Sequence, residues 1–203
     1  MNEKVLLLHG MGRTRASMRN AARRLEERGW RTRCVGYPSL TRPIERLAEH
    51  VAGQIEEESG RIHFVTHSLG GLVLRRLLHT YRPPNLGRVV MLAPPNRGSR
   101  LARRFTRLGR VVPSLRQLGL PEADLDRLLG PVDFEVLVVA GTRPAGPLRW
   151  LSRTASDGIV TVDETFAGEA GESLVVRRGH TFIMNSAEVL ETIDRFLRTG
   201  STD

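Results

Sequence analysis

Six short apolar runs, each separated from the next by a stretch of helical periodicity or capping signals, constrain this chain more than anything else in it. They are Lys4–Leu8, Arg31–Val35, Ile62–Val65, Arg88–Leu92, Glu135–Ala140 and Ser173–Arg177. Several are nearly continuous Val, Leu and Ile, as strands covered on both faces must be. Strands alternating with helices predict a parallel sheet built from right-handed crossovers. The intervening helices are expected over Ala16–Arg28, closed by Gly29, over Pro43–Glu58 after Thr41, and over Ser68–His79 before Pro83 and Pro84. The last, Ser186–Leu197, has Asn185 as N-cap with Glu188 three residues on, a capping-box pattern. There is no internal repeat and no linker, so 203 residues are expected to form one domain.

The stretch 96–132 breaks the alternation. It is read as a helical insertion with helices at Arg100–Leu108 or slightly longer and at Glu122–Leu129, acting either as a mobile lid or as a fixed wall. Leu101, Phe105, Leu108 and Val112 recur at helical spacing among Arg100, Arg103, Arg104, Arg107 and Arg110, and no acidic residue falls between Asn96 and Gln117. Such a segment either packs its apolar stripe on the body with the arginines solvated, or offers the 97–116 surface to an anionic membrane.

Charge and composition exclude several classes. The formal net charge is +9, and Lys4 is the only lysine. Yet only 5% of residues are aromatic, and no zinc-finger spacing or interleaving of basic and aromatic residues is present, so no nucleic-acid partner is expected. Cys34 is the only cysteine, which removes any intrachain disulfide. The four apolar residues Val5–Leu8 are too few for a secretory core, and no run approaches a membrane span, so a soluble cytoplasmic protein is expected. There is no His-Glu-x-x-His, no cysteine pair and no phosphate loop, and neither metal nor cofactor is expected.

The chemistry centres on Ser68. In Val65-Thr66-His67-Ser68-Leu69-Gly70-Gly71 the serine lies between a strand-like and a helix-like run, the setting of a nucleophile elbow, where a strained turn exposes the hydroxyl. Residues two before and two after must be small; Gly70 meets this, whereas Thr66 stands where glycine is usual. A serine hydroxyl needs a base oriented by a carboxylate. His180, directly after the last strand, is the natural base, while His50 and His79 lie in helical patterns, His63 opens a strand and His67 points along a strand end. Asp157 in Ser156-Asp157-Gly158-Ile159-Val160 fits as the acid, against a plain turn-forming role and against Asp163 and Glu164; Asp133 lies at the wrong end of the sheet. For the oxyanion hole, two amides are expected: Leu69, after the serine, and Met11 in His9-Gly10-Met11-Gly12, whose His9, Gly10 and Gly12 would flank the substrate.

Together these segments, with Leu92-Ala93-Pro94-Pro95-Asn96-Arg97-Gly98-Ser99, resemble the α/β-hydrolase superfamily, and within it small class-2 lipases and GPI-inositol-deacylase-like serine esterases. The resemblance implies a three-layer fold with a minimal, mostly parallel sheet of about six strands and helices on both faces. It implies the chain order Ser, Asp, His, hence a Ser68–Asp157–His180 triad, and a small-molecule ester or lipid as substrate. Thioesterase, amidase or acyltransferase chemistry on the same triad, or a non-catalytic binding role, stands as the alternative.

Overall fold

In the computed structural model, which describes residues 3–56, 58–105, 107–144, 155–166 and 171–203, six strands form one sheet in the order β2-β1-β3-β4-β5-β6. The strands are β1 (Glu3–Leu8), β2 (Arg31–Val35), β3 (Arg61–His67), β4 (Leu86–Leu92), β5 (Val136–Gly141) and β6 (Glu172–Val176). Every neighbouring pair is parallel. The side-chain period of two sorts the central strands between two cores. Leu6, Leu8, Phe64, Met91 and Val138 face one, and Val5, Leu7, Val65, Leu92 and Val139 the other.

Helices α2 (Ile44–Ile55) and α3 (Leu69–Thr80) cover the first face, through Leu47, Val51, Leu72 and Val73 among others. Helices α1 (Arg19–Glu26) and α8 (Ala187–Thr199) cover the second with Ala21, Leu25, Ile193 and Phe196. The chain therefore leaves β1 across one face and returns through α2 across the other, and the winding reverses between β1 and β3. That reversal opens a crevice at the carboxyl ends of these two strands, where open α/β sheets bind their ligands.

The insertion contains α4 (Arg100–Arg104), a 3-10 turn at Leu108–Arg110, α5 (Pro113–Leu118) and α6 (Glu122–Leu129). The helix expected over Arg100–Leu108 thus ends at Arg104; Thr106 lies outside the described residues. Four arginines at 100, 103, 104 and 107, with no acidic residue at i±3 or i±4, place like charges on adjacent turns and oppose extension. Helix α5 was hidden by the same run, although Pro113 at its first position is a start signal.

Two other expectations are corrected. The long first helix begins as a 3-10 turn, Arg15–Met18, before α1. The capping box at Asn185 does not form: Ser186 occupies the N-cap, Asn185 accepts from Asn20 Nδ2 at 3.0 Å, and Glu188 pairs with Arg178. A 3-10 turn at His180–Asn185 draws Asn185 out of the cap. The capping box appears instead at the short α7 (Val162–Thr165), where Thr161 and Glu164 satisfy each other's backbone.

Candidate active site

β3 delivers Ser68 at its carboxyl end and α3 begins one residue later, so the chain must reverse within one residue. Ser68 does this at φ 52 and ψ −122, a backbone conformation that L-residues seldom adopt and that holds only where the surroundings enforce it. The enforcement is visible. The Ser68 amide donates to Leu92 O at 2.8 Å, and the Gly71 amide donates back to Ser68 O at 2.9 Å.

Glycines let three segments converge here. A Cβ on Gly70 would lie 2.9 Å from the carbonyl oxygens of both Leu8 and His9, so the start of α3 nests against the end of β1 only without a side chain. A Cβ on Gly10 would approach His67 Nδ1 to 2.9 Å and Ser68 Cβ to 3.2 Å. Thr66, fully buried, is tolerated because Gly71 faces it: a Cβ there would sit 3.4 Å from Thr66 Oγ1 and 2.9 Å from Pro94 Cβ. The bulk missing from Gly71 is the room taken by Thr66.

The loop after β1 carries His9 to Gly12. The His9 ring is buried and stacks on Tyr37 with centroids 4.2 Å apart; its Nδ1 donates to Gly10 O at 2.9 Å, and the Tyr37 hydroxyl donates to His9 O. Burial lowers the His9 pKa, which keeps the ring neutral. The ring is thus part of the loop's scaffold and is not open to a substrate. Gly12 N–H donates to Ser39 Oγ at 3.1 Å, and Ser114 Oγ donates to Ser39 O at 2.8 Å, so α5 of the insertion braces this loop through Ser39. The amides of Met11 and Leu69 find no acceptor among the described residues, although Leu69 is fully buried. Unpaired amides in such places are rare.

Asp157 and His180 meet across the ends of β5 and β6. Asp157 Oδ2 lies 2.7 Å from His180 Nδ1, with both side chains buried. A carboxylate only accepts, so the neutral imidazole carries its proton on Nδ1 and leaves Nε2 as a lone pair. Asp157 Oδ1 accepts the amides of Ile159 at 2.9 Å and Val160 at 2.8 Å. The turn-forming role and the pairing role thus fall to different oxygens of one carboxylate. Gly141 makes room: a Cβ there would be 2.8 Å from Asp157 Cβ. The competitors go elsewhere. Asp163 is exposed, Glu164 serves its capping box and accepts the Arg100 amide at 2.6 Å, and Asp133 pairs with Arg82.

His67 joins the two halves, a role that its place in the sequence concealed. Its Nε2 donates to His180 O at 2.9 Å, and the two rings lie 4.9 Å apart. The carbonyl fixes the tautomer, leaving Nδ1 buried and without a partner among the described residues. Burial, and then the nearby His180, hold the His67 pKa well below the ordinary value. No hydrogen bond to the Ser68 hydroxyl forms among the described residues; such bonds commonly tighten only when substrate is bound. Also among the described residues, no group of three or more His, Cys, Asp or Glu side chains is placed to hold a metal ion.

The chain belongs to the alpha/beta hydrolase family, whose model matches residues 5–197. Solved structures with the same fold include the mature Bacillus licheniformis lipase BlEst2, at TM-score 0.79 and 15% identity over 98% of this chain and 91% of that one. A metagenomic carboxyl esterase matches at TM-score 0.76 and 20% identity, over 96% of this chain and 75% of its own. The Legionella pneumophila phospholipase PlaB matches at TM-score 0.68 and 22% identity, over 81% of this chain and 45% of its own. No curated protein matches the sequence.

Proposed function

We propose that this hydrolase cleaves carboxylic esters, in the manner of an esterase or lipase, with Ser68 as nucleophile, His180 as base and Asp157 as the orienting acid. The observation that carries this reading is the strained Ser68, with the buried Asp157–His180 pair tied to its neighbour His67. Strain of this kind is kept where a function needs it. His180 Nε2 takes the Ser68 proton as Oγ attacks the ester carbonyl. The negative charge on the carbonyl oxygen falls to the unpaired amides of Met11 and Leu69, held in place before the reaction starts. His180 then protonates the departing alcohol, and a water activated by the same nitrogen releases the acyl group from Ser68. Lipase, esterase and phospholipase activities among the fold neighbours accord with this choice of substrate class.

Labelling by a fluorophosphonate probe tests it. The native protein should be labelled and Ser68→Ala should not, with hydrolysis of nitrophenyl esters of rising chain length separating esterase from lipase. A native protein that stays unlabelled would end the proposal.

A further inference from the structure

Exposed apolar side chains are unevenly placed on this molecule. Among the described residues eight large ones are exposed, and six of them lie on segments at the carboxyl ends of the strands: Leu40, Phe105, Leu108, Val111, Ile159 and Phe182. Ile159 and Phe182 stand two residues beyond Asp157 and His180, and Leu40 lies beside Gly12. The concentration is greatest at the tip of the insertion, where Phe105, Leu108 and Val111 are 51%, 49% and 71% exposed. Of the stripe Leu101, Phe105, Leu108 and Val112, Val112 is buried and Leu101 half-buried, whereas Phe105 and Leu108 stand in water together with Val111. Isolated exposed leucines need no explanation, but three neighbouring large apolar residues on the same end as the candidate site do.

Charge says what covers them. Arg103, Arg104, Arg107 and Arg110 are all exposed between these apolar residues, and none forms an ion pair among the described residues. The insertion has seven arginines from Arg97 to Arg116 and no acid in that span; of these only Arg97 finds a carboxylate, Glu122. The base of the tip is by contrast well held. Ser99 N donates to Leu118 O at 2.8 Å, Gly109 packs on Arg116, and Ser114 is tied to Ser39.

We propose that this tip docks on the surface of a bilayer containing anionic phospholipid. Phe105, Leu108 and Val111 enter the headgroup boundary, the arginines pair with phosphates, and the carboxyl ends of the strands turn toward the lipid. Bulky apolar groups interleaved with unpaired arginines match an interface that is apolar inside and anionic outside. A nucleic acid would use the arginines but leave the aliphatic residues without a partner, and a second copy of this chain would bring an equally basic tip against it.

Co-sedimentation of the full chain with vesicles tests this, independently of catalysis. Phosphatidylcholine vesicles are compared with vesicles that also contain phosphatidylglycerol, at low and at high salt. Binding to the anionic vesicles is expected at low salt, and it should weaken as salt rises. Each arginine near an anionic leaflet is worth about fivefold in partitioning, so a variant carrying Arg104→Gln, Arg107→Gln and Arg110→Gln should lose about a hundredfold. Phe105→Ser with Leu108→Ser should lose at least about tenfold while keeping every charge. Ser68→Ala should bind like the native protein, so a failed hydrolase reading and a failed docking reading remain distinguishable. Equal binding to neutral and anionic vesicles, or no loss in the arginine variant, would overturn the proposal. So would retention by duplex DNA without vesicle binding, or self-association abolished by the Phe105/Leu108 pair without vesicle binding.

Discussion

Asp157 shows how much one side chain can be asked to do. Oδ1 closes the turn over Ile159 and Val160, and Oδ2 faces His180 Nδ1. Replacement by asparagine separates the two tasks. The carboxamide oxygen still closes the turn, but the amide group set toward His180 donates where the carboxylate accepted. His180 is then driven to carry its proton on Nε2, where it could not act as the proposed base for Ser68. Asp157→Asn should lower kcat by about 10⁴-fold, the scale known for this substitution in serine proteases, with the melting temperature nearly unchanged. Steady-state ester hydrolysis and a thermal melt check both halves. His67 was not legible at this scale, because its link to His180 spans 113 residues and is made to a backbone carbonyl, which leaves no pattern in a sequence.

At the scale of elements, the question left open was whether residues 96–132 form a lid or a wall. Much of the insertion is built in. Arg75, on the helix α3 that follows Ser68, is almost fully buried and holds Asn96 O at 3.2 Å, Asn96 Oδ1 at 3.3 Å, Gly130 O at 2.7 Å and Asp126 at 3.2 Å. It thereby clamps both ends of the insertion to α3. Burial lowers its pKa, the mark of a charge that keeps its place only through these partners. Arg75→Met fills the volume but strands the carbonyls, and should cost about 2–4 kcal/mol in urea unfolding. A loss below about 0.5 kcal/mol, within the range of ordinary surface changes, would remove the clamp from this account. Nothing in the spacing of Arg75 distinguishes it from Arg76 beside it, which is half-buried and among the described residues reaches only Leu128 O. Burial alone separates them.

For the whole molecule, three of the buried histidines contribute to the response to acid. Burial holds His63 at about 4 against an ordinary 6.5, and it lowers His9 and His67 in the same direction. The folded chain thus binds fewer protons than the unfolded chain below pH 6.5. Stability is complete above that value and falls as the pH drops from 6.5 toward 4 for His63; below 4 its contribution no longer changes. The limiting slope is about 1.4 kcal/mol per pH unit for each histidine so held. His63→Gln can still accept the Arg88 amide, and should flatten the fall between about pH 6.5 and about pH 4.5. Urea unfolding at a series of pH values measures it. An unaltered slope would mean that His63 takes up its proton in the folded state as readily as in the unfolded one. The carboxylate of Glu58 is a separate matter: burial would raise its pKa, but Lys4 and Arg33 outweigh that and lower it below 4.5.

The sequence by itself determined the parallel sheet, the alternation of its strands with helices, and the order in which Ser68, Asp157 and His180 arrive. These follow from local physics. Period-two and period-3.6 apolar patterns choose strands and helices, glycines mark the tight turns, and short right-handed connections leave few topologies. The tertiary structure decided which groups meet. It gave Asp157 two tasks in place of one, closed the His9 ring inside the loop after β1, made His67 the link to His180, and replaced one long basic helix with a short one and an exposed tip. Such choices depend on burial and on contacts between residues far apart in the chain. A hydrogen bond across 113 residues, or a methyl group's worth of space left by Gly71 for Thr66, exists only once the layers have packed.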